Sequence, residues 1–278
     1  MDIISPTFSE MGSPSIEMKK FPDGDSYVRI DNVSSLQGEE VHLYHRLYPE
    51  QDHQIFNVLL MLDTLKRVGA RTTLVVPYLP YSRQDKTFKD GEALSAQVLC
   101  NLMSKAGAQK LVTIDCHFLK KEGEFEYGGL KIKNISANKL LIEHAKTLVD
   151  GDLEIISPDQ GANYLVSDFG GKSMSKVRGD YQEGDEAYRT VEKVEGDFDV
   201  KDKNVLIIDD MISTGGTMIR AVENVKKGGA KKVLCAATHG FFLKNSYEKL
   251  KEITDGVFVT NSIPHEAAKV RIEKLLKE

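Results

Sequence analysis

Three stretches of the chain share one design: "LKRVGARTTLVVP" (65–77), "MSKAGAQKLVTID" (103–115) and "VKKGGAKKVLCAA" (225–237). Each passes from a basic helix end through Gly-Ala and a polar step into a short β-branched run. Glycine just beyond a last turn rich in Lys or Arg is helix-ending chemistry. Upstream of the first two joints the spacing predicts amphipathic helices. Ile55, Leu59, Leu62 and Leu65 fall near one stripe, and Leu94, Val98 and Leu102 near another. The runs after the joints are continuously apolar rather than alternating, as parallel strands covered on both faces are. Repeated helix–Gly–strand units predict a parallel α/β sheet, and two sets of them predict two such domains.

A boundary is expected near "KIKNISANKLLIEH" (131–144). Beyond it, "LEIISPDQG" (153–161) and "VLIIDD" (205–210) are two further strands that end in acids. The segment 168–199 between them is charged and glycine-bearing with weak periodicity, and an unstructured stretch of that length inside a compact domain is expected to be a functional lid or disordered. The final "EAAKVRIEKLLKE" reads as an amphipathic helix.

Composition narrows the partners. A formal net charge of −5 over 278 residues offers no basic field for nucleic acid or an anionic membrane. Any anionic ligand must therefore be met by positive groups gathered locally. Cys100, Cys116 and Cys235 form no Cys-x-x-Cys pair, which argues against a disulfide framework or a zinc site and fits a reducing cytoplasm. The N-terminus lacks a basic n-region and a long apolar run, and no segment reaches the roughly 20 apolar residues of a membrane helix. A soluble cytoplasmic protein is expected.

The stretch with the most chemistry is "VLIIDDMISTGGTM" (205–218). An apolar strand ends in Asp209 and Asp210, then runs into hydroxyls and glycines before a helix. In open parallel sheets ligands sit beyond the carboxyl ends of the strands. The loop 213–217 supplies backbone N–H groups, hydroxyls and a helix N-terminus, together a cradle for phosphate. The two carboxylates are placed to accept hydrogen bonds from sugar hydroxyls. The plainer reading is that Ser213 or Thr214 merely caps the helix. The pair of acids followed by Thr-Gly-Gly-Thr exceeds what a cap requires. No Walker loop and no G-x-G-x-x-G is present.

This stretch resembles the phosphoribosyl-diphosphate motif of type I phosphoribosyltransferases. "FPDGDSYVRI" (21–30), "PYLPYSRQDK" (77–86), "DCH" (115–117), "ISPDQG" (156–161) and "KVR" (176–178) follow in the order found in ribose-phosphate pyrophosphokinases. The resemblance spans about nine-tenths of the chain, and ordered agreement of several motifs is far more specific than one. It implies two tandem phosphoribosyltransferase-like α/β domains, each with a central parallel sheet flanked by helices. The first would hold residues 1–136 with a terminal helix 265–278 on the ATP side, and the second residues 137–264 on the ribose 5-phosphate side.

The implied reaction moves diphosphate from Mg-ATP to the C1 hydroxyl of ribose 5-phosphate. On the same resemblance Ser213, Thr214, Gly215, Gly216 and Thr217 hold the 5-phosphate while Asp209 and Asp210 address the ribose. Arg83, Gln84, Asp85 and His117 match ATP-binding positions. Phe21, Asp23 and Asp25 reach adenine from a neighbouring subunit, which implies a homo-oligomer. His117 and Asp159 match magnesium positions, and Lys176 with Arg178 the catalytic pair. Ser213 stands where many members carry an acid, and Asp25 where Glu is usual. Two competing readings share parts of the pattern. A phosphoribosyltransferase would not explain "FPDGD" and "PYLPYSRQDK". A silent regulatory paralogue would be expected to lose the cations or the acidic pair, and both are present.

Overall fold

The computed structural model describes residues 1–181, 189–195 and 199–277, with the side chains of 175–198 outside the description. The chain divides into two compact units, Met1–Ile135 with Ile272–Glu278, and Ser136–Arg271.

The first unit contains β1 (Asp2–Ile4), β2 (Ile16–Lys20), β3 (Ser26–Ile30), β4 (Glu40–Tyr44), α1 (Gln51–Arg67), β5 (Arg71–Val75), α2 (Ser95–Ala106), β6 (Ala108–Ile114), β7 (Gly123–Tyr127) and β8 (Leu130–Ile135). Its main sheet runs β1-β4-β5-β6-β8-β7, parallel except for the antiparallel β7–β8 pair, while β2 and β3 form a separate hairpin. The second unit contains α3 (Asn138–Lys146), β9 (Leu153–Ser157), β10 (Lys172–Ser173), β11 (Ser175–Tyr181), β12 (Arg189–Glu195), β13 (Asn204–Ile212), α4 (Gly216–Lys227), β14 (Lys232–Gly240), α5 (Ser246–Ile253), β15 (Gly256–Thr260) and β16 (Ala268–Val270). Its sheet, β10-β9-β13-β14-β15-β16, is parallel throughout.

The three Gly-Ala joints fall where the pattern places them, between α1 and β5, α2 and β6, and α4 and β14. The central strand β13 explains its unbroken apolar run. Val205 and Ile207 pack with Met218, Ala221 and Val222 of α4, and Leu206 and Ile208 pack with Leu141, Ile142 and Ala145 of α3. Both faces are buried, so neither can alternate with polar residues.

Four expectations change. On α2 the buried stripe is Ala96, Leu99, Cys100 and Met103, while Val98 and Leu102 are exposed. The helix carries two apolar stripes, and the one with smaller residues faces the sheet. Val98 and Leu102 instead line a pocket of about 320 Å³ with Ile55 and Tyr81. On α1 the stripe shifts to Val58, Met61, Leu62 and Leu65, leaving Ile55 and Leu59 half-buried. The segment 168–199 is not featureless: β11 and β12 pair as an antiparallel hairpin. Val177, Thr190, Val191 and Val194 supply the β-branched propensity for it. The expected terminal helix is absent among the described residues. Val270 and Ile272 are buried while Lys269 and Arg271 are exposed, a period of two that extends the sheet as β16, followed by a 3₁₀ turn at Leu275–Lys277.

A buried polar cluster closes β4. His45 Nδ1 lies 2.8 Å from Ser5 Oγ and 3.1 Å from Thr7 Oγ1. Beside it the buried Arg46 guanidinium meets Glu10 at 2.7 Å and stacks 4.2 Å from the Phe8 ring centroid. Burial pushes the His45 pKa from 6.5 down to about 3, against a smaller upward pull from Gln54. The ring is therefore neutral when folded and takes up a proton near pH 6.5 only when unfolded. Its contribution to stability is present above pH 6.5 and is lost as pH falls toward the folded value. Between pH 6.5 and 4 this amounts to about 3 kcal/mol. Urea unfolding of wild type and His45→Asn at pH 7 and pH 4 should show a pH dependence smaller in the variant by that amount. Identical dependences would remove His45 as the cause.

Candidate active site

The second unit gathers three carboxylates at the carboxyl ends of adjacent strands. Asp209 and the buried Asp210 end the apolar part of β13, and the Asp210 N–H donates to Asp209 Oδ1 at 2.9 Å. Asp159 follows the neighbouring β9, and its Oδ1 accepts the Ala162 N–H at 3.2 Å. Burial raises the Asp209 pKa well above the ordinary range, and the charges of Asp210 and Asp159 raise it further. Among the described residues, no three His, Cys, Asp or Glu side chains gather closely enough to hold an ion unaided.

β13 ends two residues beyond Asp210, at Ile212, and residues 213–215 lead into α4. The N-cap residue of this helix is Gly215, in the left-handed region at φ 77°, which has no side chain to make a cap bond. Neither Ser213 nor Thr214 serves as a helix cap, so the plainer reading of the motif does not hold. Gly216 and Thr217 form the first turn, with Gly216 exposed and Ser213, Thr214 and Thr217 half-buried. A helix N-terminus presents unsatisfied N–H groups and a positive dipole end, both suited to an anion.

Sequence reasoning assigned no part to the segment 241–246, yet it lies against this loop. The Ile212 carbonyl accepts from the N–H groups of Phe241 (2.9 Å) and Phe242 (3.3 Å). The Ser213 carbonyl accepts the Leu243 N–H at 2.9 Å and the Ser246 hydroxyl at 3.3 Å. The one available signal was the "ATHG" strand end just before it.

In the first unit, Arg83 and Gln84 are exposed and Asp85 is half-buried, all in the loop after β5. Gln84 ties that loop to α2: its side-chain oxygen accepts from Ser95 Oγ at 2.7 Å, and its carbonyl accepts the Ala96 N–H at 3.3 Å. Tyr81, at φ 62°, anchors the loop through a hydrogen bond from its hydroxyl to Asp52. His117 follows the adjacent β6, half-buried, next to Cys116, whose N–H donates to Asn134 Oδ1 at 2.8 Å. Phe21, Asp23 and Asp25 occupy the exposed turn of the β2–β3 hairpin, closed by the Phe21 N–H on the Asp25 carbonyl at 2.8 Å. Lys176 and Arg178 stand on β11, in register with Val194 and Val191 of β12. Their side chains lie outside the described residues.

The second unit thus brings together Asp159, Asp209, Asp210 and the loop 213–217. The first brings Arg83, Gln84, Asp85 and His117 to the ends of neighbouring strands, with the hairpin turn on its own small sheet.

Two helix-flanked sheets of mostly parallel strands, one ending in paired acids beside a helix with glycine at its N-cap, define a phosphoribosyltransferase-type α/β protein. The family model described as the N-terminal domain of ribose phosphate pyrophosphokinase matches residues 8–107, and that of the phosphoribosyl synthetase-associated domain matches 191–277. The ribose-phosphate pyrophosphokinase of Sulfurisphaera tokodaii is 36% identical over 266 residues, covering 92% of this chain and 87% of that one. That of Pyrococcus furiosus is 36% identical over 263 residues, covering 93% and 89%. The solved phosphoribosylpyrophosphate synthetase from Mycobacterium smegmatis superposes with a TM-score of 0.80 at 27% identity, over 99% of this chain and 95% of that one. The chain belongs to the ribose-phosphate pyrophosphokinase family, a family of transferases of nucleotide biosynthesis. No helix among the described residues is long and apolar enough to cross a membrane.

Proposed function

We propose that the chain transfers the diphosphate group of Mg-ATP to the C1 hydroxyl of ribose 5-phosphate, giving 5-phosphoribosyl 1-diphosphate and AMP. The observation that carries this reading is the continuous run from Asp209 and Asp210 into the α4 N-terminus, where the N-cap position is a glycine. In the reaction the C1 oxygen forms a bond to the β-phosphorus of ATP. The bond from that phosphorus to the oxygen it shares with the α-phosphate breaks, AMP leaves, and the hydroxyl proton passes to solvent.

The second unit is the ribose 5-phosphate side. Ser213, Thr214, Gly215, Gly216 and Thr217 hold the 5-phosphate, and Asp209 and Asp210 orient the ribose through its hydroxyls. The first unit is the ATP side, with Arg83, Gln84, Asp85 and His117 on the nucleotide. Phe21, Asp23 and Asp25 serve the adenine of a neighbouring copy, so self-association belongs to this reading, as does a cytoplasmic setting. Lys176 and Arg178 meet the charge of the migrating group, where positioning and electrostatics supply most of the catalysis.

The acidic cluster suits a hard divalent cation: burial first, then the charges of Asp210 and Asp159, disfavour the Asp209 carboxylate, and a positive charge would offset both. Asp159 offers oxygen and fits magnesium. His117 offers nitrogen, a poorer match, and serves the nucleotide phosphates first. Too few protein donors gather to complete a shell, so substrate phosphates would supply the rest. Magnesium, when bound, would neutralise charge on the transferred diphosphate.

The test is AMP formation by the purified chain with Mg-ATP, with and without ribose 5-phosphate. AMP that appears only with the sugar, together with phosphoribosyl diphosphate, is the expected result. Sugar-independent AMP, or none at all, would defeat the reading.

A further inference from the structure

The segment between β14 and α5 is backbone-strained in a way its sequence does not require. Phe242, Lys244 and Asn245 sit at φ 50°, 56° and 61°, three side-chain-bearing residues in the left-handed region within four positions. Such conformations are disfavoured for residues with a Cβ and persist only where the surroundings hold them. Two contacts hold these. Phe242 folds its ring back over Gly240, where an added Cβ would lie 2.5 Å from the ring edge. The ring then packs between His265 and Tyr247, with centroids 4.5 Å and 5.1 Å away. At the other end the fully buried Ser246 presses on Gly215, where an added Cβ would lie 2.6 Å from Ser246 Cβ.

Both ends bear on the phosphate loop. The Leu243 N–H and the Ser246 hydroxyl converge on one acceptor, the Ser213 carbonyl. Occupying that oxygen fixes the orientation of the peptide plane joining Ser213 to Thr214. That plane carries the Thr214 N–H, one of the donors available to a phosphate. Contact with Ser246 Cβ meanwhile excludes any side chain at 215 and lets the backbone turn into α4.

We propose that Ser246 is a positioning residue for the phosphate cradle: through its hydroxyl on Ser213 and its Cβ against Gly215, it holds loop 213–217 in its anion-binding shape before substrate arrives. The proposal rests on the reading that this loop holds the 5-phosphate. Ser246 touches the loop rather than the sugar, so its removal acts on binding rather than on the chemical step.

Ser246→Ala retains the Cβ and suits the first turn of α5, so the fold is not at risk. The expected result in AMP-release kinetics is a ribose 5-phosphate KM raised about fivefold, with the KM for ATP, kcat and Tm nearly unchanged. The steric half is tested by a cycle. Gly215→Ala raises the same KM strongly, and adding Ser246→Gly, which removes the clashing Cβ, restores part of it. An unchanged ribose 5-phosphate KM in Ser246→Ala, or strictly additive effects in the double variant, overturns the proposal. A parallel fall of Tm, kcat and both substrate affinities also overturns it, in favour of a general structural part. Failure of the underlying reading is separately visible: wild type would then show no saturation by ribose 5-phosphate in direct titration.

Discussion

Lys176→Ala should lower the rate of AMP formation on the order of 10³-fold or more while leaving the affinity for ribose 5-phosphate nearly intact. The expectation follows from the charge on the migrating group. Its oxygens demand cations in the transition state, and a single cation supplied at that point is worth factors of this size in phosphoryl transfer. Lys176 stands on β11, within the "KVR" motif, whereas Asp209 and Asp210 stand on β13 and the loop proposed to hold the sugar phosphate leads from there into α4. Loss of an interaction made only in the transition state lowers kcat and kcat/KM equally. Single-turnover kinetics beside calorimetric titration of ribose 5-phosphate separates the two quantities. Near-normal turnover would remove Lys176 from the mechanism, and a matching loss of sugar affinity would make it a binding residue.

Asp209→Asn should have two effects of opposite sign. Activity falls on the order of 10²- to 10³-fold, because in the proposed reaction this carboxylate accepts from ribose hydroxyls and adds to the local negative field, and an amide lacks its charge. Stability at neutral pH, by contrast, rises. Burial first, then the charges of Asp210 and Asp159, push the Asp209 pKa up on folding. A carboxyl whose pKa is raised in this way contributes stability that is complete at acid pH and lost as pH rises through the folded value. At neutral pH the charged form is therefore a cost to the free protein, and the neutral amide removes it. Thermal unfolding at pH 5 and pH 8 without ligands checks the sign: the variant's advantage should grow with pH. A variant less stable than wild type at pH 8 contradicts this account of the cluster.

Much of the architecture is visible in the chain because its signals are local. A basic helix end, Gly-Ala and a β-branched run lie within 13 residues, and the three places that show them are three helix-to-strand joints. The acids and the hydroxyl- and glycine-rich loop are equally local, occupying 209–217 without interruption. Where structure and pattern part, the outcome depends on neighbours distant in sequence. Val98 and Leu102 form a sound helical stripe, and only the sheet decides that Leu99 and Met103 face it instead. "AKVRI" suits a helix or a strand, and the free edge of β15 settles the matter. The strap 241–246 was invisible for another reason. Phe242 and Lys244 are not residues that announce a left-handed turn, so the conformation is imposed by Gly240, Gly215 and two aromatic neighbours.

The outermost strands have a consequence for how the chain behaves in concentrated solution. In the second unit the sheet ends on β10 and β16, of two and three residues. In the first it ends on β1, of three residues, and on β7, "GEFEY", whose Glu124 and Glu126 are exposed. An open sheet border exposes unpaired N–H and C=O groups that recruit strands from other molecules. Borders this short, or this acidic, give an incoming strand few hydrogen bonds to complete or meet it with repulsion. Apolar strand segments such as "VLIIDD" and "VLCAA" are the ones prone to self-associate, and each is enclosed between neighbours at the centre of the sheet. The protection against cross-β aggregation is thus built into strand order, and it lasts only while the central strands stay paired.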